Sequence, residues 1–281
     1  MTQKPDLLQL QGVSKTFSRG AVDAVVALDN VTVDVCAGDF ITVIGSNGAG
    51  KTTLLNVVAG IFPPDRGGVV LINGTNVTNL SEHRRATFIG RVYQDPQIGT
   101  AAKTTIGENM SLALLRGRSR GLRMAISRQR RNAFREALEP LGLGLENRLN
   151  SLAGTLSGGQ RQALALVMAT LSRPSLLLLD EHTATLDPKT AGTVLALSKM
   201  IAIPEDMATI MVTHNMEVAL RYGNRLIMMH QGRIIVDLDA EQRRSLTVGD
   251  LVAAFELASG EHFADDNVLL STAASPAKPG T

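Results

Sequence analysis

Apolar residues recur along the chain with two different rhythms. In residues 31–35, Val31, Val33 and Val35 fall on one face while Thr32 and Asp34 fall on the other, which predicts a half-buried strand. Residues 7–13 read as a strand too. Phe40–Ile44 and Leu176–Asp180 are nearly unbroken apolar runs, as expected of parallel strands covered on both faces. Val69–Ile72 runs into Asn73-Gly74, a hairpin dipeptide. Further strands are predicted at 88–93, 209–212 and Arg225–His230; the last meets Gln231-Gly232 and returns over 233–236 as a hairpin. Strands that alternate with helical segments predict an α/β core with a parallel sheet.

Residues 95–171 break this rhythm. Phe134, Ala137, Leu138 and Leu141 follow the i, i+3, i+4, i+7 spacing of an amphipathic helix, and no strand pattern interrupts the stretch. A helical lobe inserted between core strands is the expectation. Beyond it, residues 1–240 are expected to form one domain, and 241–281 a short helix with a tail. The helix is predicted over 248–257, capped by Thr247 with Asp250 in its first turn. The Ser, Ala, Pro and Gly of 271–281 predict disorder.

Composition narrows the partners. A net charge of +2 does not argue for nucleic acid. The single Cys36 suits a reducing compartment. Residues 1–13 lack a signal-peptide layout, and no window approaches about 18 uninterrupted apolar residues. Any membrane role would need a partner that supplies the membrane part.

Gly45-Ser46-Asn47-Gly48-Ala49-Gly50-Lys51-Thr52-Thr53 fits G-x-x-x-x-G-K-[ST], between a strand and a helix predicted over Lys51–Ala59. Glycines let the backbone curl several N–H groups around one anion, and the helix N-terminus adds its positive dipole end. Lys51 can reach the β- and γ-phosphates of a nucleotide, and the Thr52 hydroxyl can ligate Mg²⁺. ATP with Mg²⁺ is the expected ligand.

Leu156-Ser157-Gly158-Gly159-Gln160 matches a second motif in full; five specified residues in a row arise by chance in only about one chain in a few thousand. With the phosphate loop, it makes the chain resemble the ATPases of the ABC transporter family over about 7–237. Ser157 is a good N-cap, and the helix predicted over 160–171 would open on exposed N–H groups, a second phosphate-binding surface.

The resemblance implies a P-loop core, an N-terminal antiparallel β subdomain and the inserted helical subdomain. It implies a head-to-tail dimer in which each ATP lies between Lys51 of one copy and Ser157 of the other, with Leu156, Gly158, Gly159, Gln160 and Asp187 of the second copy nearby. Leu176–Asp180 resembles the Walker B strand, so Asp180 would join the Mg²⁺ shell and Glu181 would act as general base. Gln94 resembles the Q-loop glutamine, a further metal contact. His214 resembles the switch histidine that reaches the γ-phosphate, against the alternative of ordinary polar surface. Phe17 resembles the aromatic that stacks on adenine, with core packing as its alternative. Glu181, His214 and Lys51 are the expected catalytic set. Most family members carry proline after the glutamate, whereas His182 stands here.

The wording of 90–96, 179–184 and 211–216 is similar to the ATPases of a bacterial tryptophan/tyrosine-type importer group, in which a histidine at this place is habitual. That similarity implies an identical second subunit, an integral membrane permease and a secreted or lipid-anchored solute-binding protein. It implies a location on the cytoplasmic face of the inner membrane. Residues 94–105 are expected to line the groove that receives a permease helix. The run Arg116, Arg118, Arg120, Arg123, Arg128, Arg130, Arg131 and Arg135 reads as a solvated basic face or a contact with anionic lipid, since few aromatics interleave for nucleic acid. The alternative function is a soluble ABC ATPase of DNA repair or translation.

Overall fold

The alternation at Val31, Val33 and Val35 does produce a strand with one face buried and Thr32 and Asp34 exposed. In the computed structural model, residues 6–18, 20, 22–116, 127–202 and 206–260 are described. The strand β1 spans Asp6–Phe17 and β2 spans Val25–Cys36, both longer than their apolar patterns. They pair antiparallel, and β1 also pairs with β4 (Val69–Ile72). Asn73 and Gly74, both at positive φ (49° and 71°), turn β4 back into the two-residue β5 (Thr75–Asn76). The first sheet therefore has the order β2-β1-β4-β5.

The second sheet carries the chemistry. Between β2 and β4 lie β3 (Phe40–Ile44) and α1 (Lys51–Ala59). After β5 come α2 (Glu82–Arg85) and β6 (Ile89–Val92). The lobe follows with α3 (Ile106–Leu114), α4 (Arg128–Leu138), three 3₁₀ turns and α5 (Gly158–Thr170). The core then resumes with β7 (Leu176–Asp180), α6 (Pro188–Ile201), β8 (Ala208–Val212), α7 (Met216–Arg221), β9 (Arg225–His230), β10 (Arg233–Leu238) and α8 (Val248–Ser259). The strand order is β10-β9-β3-β8-β7-β6, parallel except for β10.

The lobe has no strand among its described residues, only an isolated bridge between Thr105 and Leu152. The amphipathic helix ends at Leu138, because Pro140 forces a 3₁₀ turn at Glu139–Leu141; Phe134, Leu138 and Leu141 are nonetheless buried together. The helix α8 has the expected Thr247–Asp250 capping box and runs two residues beyond its predicted end. Its Leu251 and Phe255 pack in one cluster with Ile44, the last residue of β3. Arg118, Arg120, Arg123 and the segment 271–281 lie outside the described residues. Among the described residues no helix is long and apolar enough to cross a membrane.

Beneath α1 lies a buried cation. Arg85 is 1% exposed, and its guanidinium donates to the carbonyls of Val57, Val58, Thr78 and Leu80 at 2.7–2.9 Å. Two of those carbonyls belong to the last turn of α1, the negative end of the helix dipole. Burial without a carboxylate lowers the Arg85 pKa to about 10, which still leaves it charged. Gly60 is required here, since a Cβ would lie 2.7 Å from Arg85 Nε at φ 83°.

Candidate active site

Three adjacent strands end together. β3 delivers Gly45, β8 delivers His214 and β7 delivers Asp180 and Glu181 at the carboxyl edge of the parallel sheet, where open α/β sheets place their ligands. Backbone bonds set the register: Thr213 N–H donates to Val43 O over 3.1 Å, and Glu181 N–H donates to Val212 O over 3.1 Å.

The loop 45–50 closes on itself as its glycines allow. A Cβ on Gly45 would fall 2.1 Å from Met229 O, and one on Gly50 would fall 2.3 Å from Ala27 O. Gly48, at φ 78°, would meet nothing within 4 Å, so its outer side is open. Lys51 is 6% exposed, with Nζ donating to Gly45 O (2.7 Å) and Ser46 O (2.9 Å). The ammonium is therefore held at the mouth of the loop that the glycines shape. Ala49 is buried and its carbonyl accepts from Gly232 N–H at 3.1 Å, while Asn47 is exposed and Thr53 half-buried.

Thr52 Oγ1 donates to Asp180 Oδ1 over 3.3 Å, which puts a hydroxyl and a carboxylate side by side. Burial pushes the Asp180 carboxyl up, and Arg91 pulls it part of the way back. Among the described residues no trio of His, Cys, Asp or Glu forms a metal cage. Two hard oxygen donors and no cage suit a Mg²⁺ that takes its other ligands from phosphate and water. Glu181 follows at φ 43°, a left-handed conformation uncommon for a glutamate. The His214 imidazole, with Nδ1 3.6 Å from Glu181 Oε2, keeps the carboxyl below its usual range and ionised. An ionised carboxylate paired with an imidazole can accept a proton from water.

His182 points away from this edge. It is 1% exposed, and its Nε2 lies 2.8 Å from Ser198 Oγ on α6. Ser198 spends its own proton on Val194 O (2.8 Å), so the imidazole must be the donor, as the Nε2–H tautomer. Burial drops the His182 pKa to about 4, leaving it neutral. The residue that departs from proline thus ties the Glu181 turn to α6, whose N-cap is Asp187.

The remaining candidates sit on other segments of the chain. Phe17 is half-buried, edge-to-face with Phe62 at 5.2 Å, with Lys15 Nζ 5.7 Å from its ring centre. Gln94 is exposed and makes no hydrogen bond within the described residues. Ser157 caps α5 through a full capping box with Gln160 and is exposed, as is Gly158; Leu156 is buried. Gly159 packs closely on α6: a Cβ there would sit 2.0 Å from Thr190 Cγ2, so the Thr190 side chain would have to move. Asp187 is exposed and accepts from Thr190 N–H over 3.1 Å.

Three residues escaped the sequence reading. Arg91 on β6 donates to Asp180 Oδ2 over 3.1 Å. Gln162 on α5 is fully buried and donates to Tyr93 O over 3.0 Å, joining the lobe to the strand before Gln94. Ser198 holds His182. Arg91 alone left a signal, a charge inside the otherwise buried strand Ile89–Val92.

A cavity of about 1000 Å³ opens between core and lobe, lined by His83 and Thr87 from the core and by Ile98, Gly99, Leu112 and Arg116 from the lobe. Ile98 and Leu112 are 65% and 55% exposed there.

Residues 28–184 match the family model described as ABC transporter. The chain is 41% identical over 252 residues to a tyrosine transport ATP-binding protein of Clostridioides difficile, covering 90% of this chain and all of the relative. It is 34% identical to a phosphonates import ATP-binding protein of Frankia casuarinae, covering 82% of this chain and 89% of that one. Among solved structures, it superposes with a TM-score of 0.71 on the dimeric post-hydrolysis state of the ATP-binding cassette MJ0796 bound to ADP and Pi, at 29% identity, covering 83% of this chain and 99% of that one.

Proposed function

The chain belongs to the ABC transporter family as an ATP-hydrolysing subunit, and on that premise we propose that it powers uptake of an aromatic amino acid such as tyrosine. The name of the 41% identical relative supports the solute class. Uptake runs through a separate permease, with a secreted or lipid-anchored binding protein delivering the solute. The chain then works at the cytoplasmic face of the membrane, held there by the permease.

The observation that carries the mechanism is the meeting of Lys51, Thr52, Asp180, Glu181 and His214 at the ends of three adjacent strands. The loop 45–50 wraps the phosphates, and Lys51 exchanges the carbonyls of Gly45 and Ser46 for β- and γ-phosphate oxygens. Thr52, Asp180 and Gln94 would hold the metal. Mg²⁺, when bound, neutralises charge on the transferring phosphoryl group. Glu181 takes the proton of the attacking water, and His214 orients Glu181 and donates to the γ-phosphate. Phe17 stacks on the adenine. Segment 156–160 and Asp187 of a second copy close the site from the other side, which fits the solvent-facing Ser157 and Gly158. The groove at Ile98, Gly99 and Ala101 receives a permease helix, and its exposed Ile98 and Leu112 suit an apolar helix face.

Glu181→Gln tests the assignment. The variant should bind ATP, lose most turnover and run as a stable dimer by size exclusion with ATP. Near-normal hydrolysis by Glu181→Gln would remove Glu181 as the base.

A further inference from the structure

Arg91 sits where a charge is costly. Its strand neighbours Ile89, Gly90 and Val92 are all buried, and its own side chain is 9% exposed, as is that of Asp180. Nη2 donates to Asp180 Oδ2 over 3.1 Å, and the guanidinium lies 4.6 Å from the centre of the Tyr93 ring. Nε and Nη1 are buried without a hydrogen-bond partner, so among the described residues Asp180 is the one acceptor that this arginine uses. Across the same carboxylate, Thr52 Oγ1 lies 3.3 Å from Oδ1. The two oxygens of Asp180 therefore have separate partners, Oδ2 facing the guanidinium and Oδ1 facing the phosphate loop.

We propose that Arg91 is a built-in counter-cation for the metal-binding carboxylate. It neutralises and orients Asp180 while no metal is bound, and leaves Oδ1 as the oxygen offered to Mg²⁺. The proposal rests on the metal site at Thr52 and Asp180 described under the function above.

The electrostatics have a definite sign. A carboxylate this buried needs a positive partner, and among the described residues Arg91 is the cation in hydrogen-bond contact with it. With Arg91 present, the metal-free state is held up and a second cation is repelled, so metal affinity is held down. The guanidinium can also yield. Leaving Oδ2 breaks no other hydrogen bond, and a cavity of about 110 Å³ lined by Arg91, Tyr93, Glu82 and Arg116 adjoins it. Arg91 is thus a positioning residue that sets how strongly the site depends on metal.

The test uses the full chain with Arg91→Leu and Arg91→Lys. Melting midpoints are measured with the non-hydrolysable analogue adenylyl imidodiphosphate, once with EDTA and once with Mg²⁺. Binding of Mn²⁺ to the analogue complex is followed by electron paramagnetic resonance. Arg91→Leu should melt several degrees lower without metal, regain part of that loss with metal, and bind Mn²⁺ several-fold tighter than the natural chain. Arg91→Lys, which keeps the charge, should fall between. If Arg91→Leu fails to fold, Arg91→Gln, polar and uncharged, carries the same comparison. Equal destabilisation with and without metal, or unchanged or weaker Mn²⁺ binding, would make Arg91 a packing residue and overturn the proposal. Asp180→Asn separates the two readings: if it leaves Mn²⁺ binding intact, the metal site itself is wrong and the proposal falls with it.

Discussion

His182→Gln gives a sharp test of the buried pair with Ser198. Glutamine can keep a hydrogen bond to Ser198 Oγ but cannot take up a proton near neutral pH. In the natural chain the His182 pKa falls from 6.5 to about 4 on folding, because burial penalises the imidazolium. The unfolded chain therefore binds a proton that the folded chain refuses. Stability unaffected by this group above pH 6.5 is lost as pH falls toward 4. The full shift is worth about 3 kcal/mol at 1.36 kcal/mol per unit, and about 2 kcal/mol of it is already lost at pH 5. Other groups titrate in both proteins, so the difference between them isolates His182. Urea unfolding of the nucleotide-free proteins between pH 5 and 8 is the assay, at one protein concentration. The stability of the natural chain minus that of His182→Gln should fall by about 2 kcal/mol from pH 8 to pH 5. A difference that stays constant with pH would mean that folding leaves the His182 pKa unchanged, and one that rises toward pH 5 would mean a buried imidazolium; either would refute the buried neutral imidazole.

The two-chain site predicts complementation. Mixing Lys51→Ala with Ser157→Arg subunits should restore part of the ATPase activity that each lacks alone, because a mixed dimer holds one intact site; a mixture as inactive as either parent, with mixed dimers shown to form and one working site shown to suffice for turnover, would refute sharing. At the lobe, Gly99→Trp should fill the groove, where a Cβ meets only Ala165 Cβ at 3.5 Å. It should spare ATP hydrolysis by the free subunit and weaken co-purification with the permease, and unchanged association would move the docking surface elsewhere.

Much of this architecture was legible because single elements carry it. Leu176–Leu179, a short unbroken apolar run, reads as a strand covered on both faces, and each is buried completely. The phosphate loop announced itself through glycines that the fold needs for contact with Met229 and Ala27. Among the described residues of 95–171 the helices are α3, α4 and α5, and Pro140 ends α4 short of Leu141, which spacing alone placed on it. What stayed hidden depends on partners distant in sequence. Nothing in Arg91 names Asp180, and nothing in Ser198 names His182, since strand order and helix placement create both pairs. Phe17 shows a further limit: pattern identifies an aromatic near a turn, but only packing finds Phe62 at its edge.

The cluster of Leu251 and Phe255 with Ile44 ties α8 to the strand that leads into the phosphate loop. Phe255 also meets the ring of His230 edge-on at 5.3 Å, and the next turn, at Gly232, is hydrogen-bonded to Ala49 in the phosphate loop. The loop is thus braced from behind by a helix some two hundred positions later in the sequence. A ribosome must therefore make the chain as far as Phe255 before the phosphate loop acquires this backing.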